Sequence, residues 1–255
     1  MFKVQKGAPI TERMRLLQIQ VFCVLVWRSY SQAQKPVISP TVEVSLGQRT
    51  TISCEVGVKD GNAVPFYRQI PGEAPELILY HYHSWSNPTY GPGMSSAHFT
   101  ATVNSAGTGY QLIIKAAQIT DAAHYYCAKW YTSVSGWVFS QSSQLIVTGA
   151  NFPDADMMLF PPQPVEPSGG IQPTLTCLIS NLSVPFGTVS WKVDGKVVQN
   201  AITSEPKRDT SSNTFSMSSY LTLPEVDHAS TFTCQIQQAG SASIASRSLK
   251  LSECA

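Results

Sequence analysis

The residues of this 255-residue chain whose types could do chemistry are six cysteines, five histidines and one glycosylation triplet. His81 and His83 are two apart, so on a strand they would share a face and could hold a metal. Solvated loop histidines are the plainer reading, and no metal or other cofactor is expected. Asn181-Leu182-Ser183 is a triplet whose asparagine can carry a glycan, and Asn87-Pro88-Thr89 is excluded by its proline. There is no Gly-x-Ser-x-Gly, no phosphate-binding Gly-Lys loop and no His-Glu-x-x-His. No catalytic residue is therefore assigned, and an enzyme is not expected.

The cysteines depend on the compartment. Lys3, Lys6, Arg13 and Arg15 precede an apolar run, "LLQIQVFCVLVW" (residues 16–27), and then Ser31-Gln32-Ala33. This is the layout of a secretory signal peptide, residues 1–33, cleaved after Ala33. Met14 is a second candidate start. The apolar run is too short to span a bilayer, so direct membrane insertion is not expected. Cys23 leaves with the signal. The remaining five are Cys54, Cys127, Cys177, Cys234 and Cys254. In an oxidising compartment they should form bridges, and the odd one is free for another molecule. Four cysteines permit three pairings. A two-domain split favours Cys54–Cys127 and Cys177–Cys234, each bridge contributing roughly 4 kcal/mol in the chain-entropy model.

The elements that must hold these residues are short strands. The length suggests two domains of about 110 residues. Segments such as "RTTISCEV", "VPFYRQI", "PELILYHY" and "YQLIIKAA" alternate between turn residues, and after Thr148 the rhythm restarts with "PTLTCLIS", "TVSWKVDG" and "TFTCQIQQ". The only helical signal is a turn near residues 117–121. Net charge is +1, which argues against a nucleic-acid partner. The fold expected is all-β: residues 34–148, a linker at 149–156 containing Gly and Pro, and residues 157–255. In the second unit Trp191 stands between Cys177 and Cys234, the arrangement in which a buried Trp packs on an inter-sheet disulfide. In the first, Phe66 takes that place. "DAAHYYC" puts Tyr125 two residues before Cys127, as in a tyrosine corner. Asp121 in that run should pair with His98, a contact that would weaken if the imidazole lost its proton.

These motifs make the resemblance specific. The first unit resembles an immunoglobulin variable domain, with "FYRQIPGEAPELILY" (residues 66–80) similar to the segment between the first two hypervariable loops of light chains. The second resembles a light-chain C1-type constant domain in "LFPP", "VSWKVDGK", "SSYLTLPEVDH" and the ending "SECA". Residues 93–114 are also similar to T-cell-receptor gamma variable segments. A receptor chain of that kind is expected to continue into a membrane helix, whereas this sequence stops one residue after Cys254. The fold implied is two immunoglobulin-like β-sandwiches, V-type then C1-type.

The resemblance implies an antibody light chain, secreted or held at a surface by a membrane-bound heavy chain, that pairs with a heavy chain and supplies half of an antigen site. A surrogate light chain or T-cell-receptor-like subunit is the alternative. Heavy-chain contact would fall on Tyr67, Gln69, Pro75, Leu77, Tyr126 and Phe139, with Gln69 exchanging hydrogen bonds with a partner glutamine. Cys254 would form the interchain bridge. Antigen-contact candidates are Lys59 and Asp60 in a first loop (58–63), Tyr82, Trp85 and Tyr90 in a long second loop (81–93), and Lys129, Trp130, Tyr131 and Trp137 in a third (129–137). One departure stands out. The family follows the Phe139 position with two glycines that make a β-bulge; here Ser140 and Ser142 take their places. Serine lacks glycine's freedom at positive φ, so a reshaped or missing bulge is expected. Together with Phe66, this resembles the divergent sigma-type light chains of cold-blooded vertebrates.

Overall fold

β-branched and aromatic residues spaced two apart, between turn residues, give every segment one face to bury. The computed structural model describes residues 35–149, 151–163 and 172–253. The expected signal peptide and Cys254 lie outside the described residues. The first unit runs β1 (Val37–Ile38), β2 (Thr41–Ser45), β3 (Thr50–Glu55), β4 (Val64–Gln69), β5 (Glu76–His81) and β6 (Thr89–Tyr90). It continues with β7 (Phe99–Val103), β8 (Gly109–Ile114), a 3-10 turn at Ile119–Asp121, β9 (His124–Tyr131), β10 (Gly136–Phe139) and β11 (Ser143–Thr148). One sheet is ordered β1-β3-β8-β7; the other is β2-β11-β9-β4-β5-β6, with β10 also on β9.

The second unit has β12 (Asp156–Phe160), β13 (Thr174–Leu182), β14 (Gly187–Val193), β15 (Lys196–Val198) and β16 (Ala201–Thr203). Then follow β17 (Lys207–Asp209), β18 (Thr214–Thr222), β19 (Thr231–Gln238) and β20 (Ile244–Lys250). Its sheets are β12-β13-β18-β16, with β17 on β18, and β15-β14-β19-β20. The all-β reading holds: two immunoglobulin-like sandwiches stand in series.

Each sandwich is bridged across its sheets, Cys54 to Cys127 and Cys177 to Cys234. The expected aromatics pack there. Phe66 pairs in register with Cys127, Trp191 with Cys234, and both rings are fully buried. The Trp191 indole N–H donates to Ser219 Oγ at 3.0 Å, satisfying the polar atom that burial would otherwise strand. Phe66 has no such atom and needs no partner.

The tyrosine corner is present. The buried Tyr125 hydroxyl donates to the Asp121 carbonyl at 2.8 Å. The Asp121 carboxylate accepts from Gln118 N–H at 2.8 Å and lies 2.8 and 2.9 Å from His98 Nε2, as expected. Arg68, 3.8 Å away, adds a guanidinium from β4 that was not anticipated. Where the two sandwiches meet, Gly240 has φ +84° and passes so close to Val147 O that an added Cβ would collide with it. Arg208 bridges to Glu73 at 3.4 Å across the same junction.

Replacing Tyr125 with Phe removes a buried donor and strands the Asp121 carbonyl. The expected loss is about 1–2 kcal/mol of first-domain stability, read from the shift of the denaturant midpoint at unchanged slope.

Candidate pairing face and loop edge

Along β4, Phe66 and Arg68 face inward, so Tyr67 and Gln69 face out. Tyr126 of β9 lies directly opposite Tyr67, and the Tyr67 and Phe139 rings stand 5.7 Å apart. Tyr67, Gln69, Pro75, Tyr126, Phe139 and Ser140 line one apolar depression of about 280 Å³. Five of the six expected contact residues are thus brought together. Leu77, opposite Tyr67 on β5, is half-buried beside the depression and does not line it. The Gln69 amide is already engaged in the chain: its oxygen accepts from Tyr126 OH at 3.1 Å and its nitrogen donates to Glu73 O at 3.0 Å. One N–H and one lone pair remain for an outside group.

The replaced glycines have a structural answer. Phe139 pairs with Ala128 and Ser143 with Tyr125, so residues 140–142 stand opposite residues 126 and 127. Three residues against two is the count of a bulge. Neither Ser140 nor Ser142 is among the residues at positive φ. The Ser140 hydroxyl instead accepts from the Cys127 N–H at 3.1 Å and donates to Gln141 O at 2.7 Å, while Ser140 N–H donates to Cys127 O at 2.9 Å. A side-chain oxygen thus stands in for a ladder carbonyl, and the bulge is reshaped, not lost.

At the loop end the structure corrects several expectations. β9 continues through Lys129, Trp130 and Tyr131, and β10 begins at Gly136, so the third loop shrinks to a turn at residues 132–135. Lys129 faces inward at 1% exposure, and Tyr131 is buried with its hydroxyl donating to Val56 O at 2.8 Å. Neither can meet an outside molecule. Asp60 is turned inward on Lys129. Burial pushes the Asp60 carboxyl up, but hydrogen bonds from Lys129 and Asn62 outweigh it and hold it below the usual value. Tyr90 belongs to the short strand β6, packs on the core and donates to Phe99 O at 3.1 Å. The residues left facing outward are Lys59, Tyr82, Trp85, Trp130 and Trp137. Trp137 is 50% exposed and stands edge-on to Trp130 at 6.0 Å, and Trp85 is 41% exposed, 5.9 Å from Tyr82.

The two histidines do not share a strand face. Among the described residues no group of three or more His, Cys, Asp or Glu could hold a metal. His81 is neither solvated nor in a loop. It ends β5, is buried edge-on to Tyr110 at 6.4 Å, and its Nδ1 has no partner. The chain turns after it, so His83 stacks on Tyr82 at 4.2 Å instead. Asn181 sits where the β13 register shifts, at φ 59° and half-buried. There is no cis peptide among the described residues, at Pro185 or elsewhere.

A second apolar face was not expected. Met158 and Phe160 on β12, Leu178 on β13, Ile202 on β16 and Tyr220 on β18 point away from the core yet stay exposed, Ile202 at 73%. Met158, Leu178 and Tyr220 line a cleft of about 480 Å³. The signal was available in "MMLF", which is apolar in both phases of the strand, as in strands covered on both faces.

Burial lowers the His81 pKa below its ordinary 6.5, and burial likewise lowers His124 against an opposing pull from Glu205. Below pH 6.5 these two imidazoles therefore bind more protons in the unfolded chain than in the folded one, and their contribution to stability falls as pH falls. Denaturation from pH 7.5 to 5 should show that decline, and His81→Leu should flatten part of it, leaving the remainder to His124.

Residues 38–148 match the immunoglobulin V-set domain and residues 157–241 the immunoglobulin C1-set domain. The second unit is similar to an Ig kappa chain b5 variant C region of Oryctolagus cuniculus, 37% identical over 101 residues, 38% of this chain and 94% of that region. The first is similar to Ig kappa chain V region 120 of the same animal, 31% identical over 110 residues, 43% of this chain and 92% of that region. A viral T-cell receptor beta chain-like protein of Feline leukemia virus is 24% identical over 205 residues, 75% of this chain. The chain covers 62% of that viral protein's length. No helix among the described residues is long and apolar enough to cross a membrane. With a bridged V-set sandwich followed by a bridged C1-set sandwich, the chain belongs to the immunoglobulin family.

Proposed function

We propose that this chain is a secreted antibody light chain that pairs with a heavy chain and contributes half of an antigen site. Residues 1–33 act as its signal peptide, 34–148 as variable domain, 149–156 as switch and 157–255 as constant domain. The observation that carries the reading is the depression among Tyr67, Gln69, Pro75, Tyr126 and Phe139. An aromatic concavity with spare hydrogen-bonding capacity at Gln69 suits the apolar centre and polar fringe of a protein interface. The apolar constant-domain face around Met158, Phe160 and Tyr220 supports a second contact with the same partner. Outward-facing Tyr82, Trp85, Trp130 and Trp137 give the loop edge an aromatic paratope composition. Ser140 and Ser142 in place of glycines, and Phe66 in place of Trp, support a sigma-like isotype. Cys254 is the covalent tie to the heavy chain.

Co-expression with heavy chain tests the pairing. Gln69→Asp with Pro75→Asp should lower association at least ~10-fold, about 1.4 kcal/mol, while the isolated chain still folds cooperatively. Cys254→Ser should leave association intact but let the chains separate in denaturant without reductant. Unchanged association of the Asp variant would sink the assigned face, and a wild-type chain migrating alone without reductant would sink the role of Cys254.

A T-cell-receptor-like or surrogate subunit is the second reading, favoured by the likeness over 205 residues to the viral receptor-like protein. Transcripts from one animal separate the two. Diversity concentrated at residues 129–137 is the antibody outcome; an invariant stretch there is the surrogate outcome.

A further inference from the structure

Lys129 is a lysine with 1% exposure inside a sandwich of apolar residues, a position that lysine almost never takes without partners. Its Nζ donates to the Asp60 carboxylate and, at 2.8 Å, to the carbonyl of Asn62. Asp60 Oδ1 also accepts from the Asn62 N–H at 2.8 Å. All of these acceptors sit in the first loop, 67 to 69 residues earlier in the chain. Two residues further along β9, the Tyr131 hydroxyl holds Val56 O, at the point where that loop leaves β3. Beneath them the buried Tyr110 phenol is pushed up to about 12, by burial first and by the Asp60 carboxylate second. On the loop's other side, the Lys59 stem lies across the β7–β8 turn. An added Cβ on Gly107 would meet its Cδ at 2.8 Å.

We propose that Lys129 is a positioning residue that clamps the first loop, residues 58–63, to the root of the third. The first loop is then a rigid strut. Its one carboxylate is turned onto Lys129 and is only 26% exposed. The two loops behave as a single unit, and the residue at position 129 sets the shape of both. A third loop that carries an apolar residue at this position releases the first loop without any change in the first loop's own sequence. This deepens the reading of these loops as a binding edge and rests on it for its functional consequence. The clamp itself is independent of that reading.

Amide hydrogen exchange on the full-length chain, with neither partner nor antigen, tests the clamp alone. Lys129→Met keeps the length of the stem and removes the charge. Exchange at Asn62, whose N–H the Asp60 carboxylate holds, should quicken at least ~10-fold, while amides of β3, β8 and β9 keep their protection. The double variant Lys129→Met with Asp60→Asn leaves no unpaired buried charge. It should fold, and its loop should exchange no faster than in the single variant, because both changes break the same contact. Unchanged loop exchange in either variant overturns the clamp. So does acceleration spread evenly over the first domain, which would make Lys129 a general core residue. A failure of heavy-chain pairing would count against the proposed function and leave these exchange results standing.

Discussion

The bridge between Cys54 and Cys127 sets the phase of β9, and most of the first domain follows from that phase. A strand's side chains alternate strictly, so a slip of one residue would exchange its two faces. With Cys127 fixed inward on Cys54, residues 125, 129 and 131 must also face inward, and 126 and 130 must face out. Tyr125 then closes the corner on Asp121, Lys129 reaches Asp60 and Tyr131 reaches Val56. Tyr126 meets Tyr67 and Gln69 on the other face, and Trp130 meets Trp137. The core, the aromatic depression and the contacts to the first loop are thus one alternation read from opposite sides.

The same strand explains why serine can replace glycine next to it. A bulge needs one extra residue and a way to satisfy the amide it displaces. Glycine meets the first need through backbone freedom. Ser140 meets the second directly, taking the Cys127 N–H on its hydroxyl while its own backbone stays out of the left-handed region. The result is a junction anchored to the bridge cysteine itself, beside the depression it helps to line. Ser143, fully buried with an unpartnered hydroxyl, is a neighbouring position for which the structure offers no compensation.

Buried polar groups in the first sandwich are not all satisfied alike. At the base, Asp121 gathers His98, Arg68 and the Gln118 N–H around one buried carboxylate, so its charge is matched from three directions. At the loop end, His81 and Tyr110 meet edge-on with one imidazole nitrogen unsatisfied. The Asp121 carboxylate is partnered on every side, whereas His81 at the loop end and His124 at the base each keep a buried, unsatisfied imidazole nitrogen, and these are the groups that acid disturbs.

Much of this was legible in the sequence because it depends on spacing within a strand. The strands and the two-unit layout follow from period-two patterns between turn residues, while the bridges, Phe66 and Trp191 over them, Tyr125 at its corner and the contact of His98 with Asp121 follow from the motifs that surround the cysteines. The outward set Tyr67, Gln69, Pro75, Tyr126 and Phe139 came from the family resemblance and is gathered in space. The loop end was misread, because a loop assigned by analogy has no intrinsic boundary. Lys129, Tyr131 and His81 look like polar loop residues in one dimension. Where a hairpin stops depends on which partner strands continue beside it, and β9 continues because β10 pairs with it up to Tyr131. The sequence by itself therefore determined the strands, the two-unit layout and which cysteines and rings belong to each core, since these repeat at fixed spacings within each unit. Tertiary structure alone decided which loop side chains face out and which are held inside. That choice depends on contacts such as Lys129 to Asp60, between segments 69 residues apart that no local pattern connects.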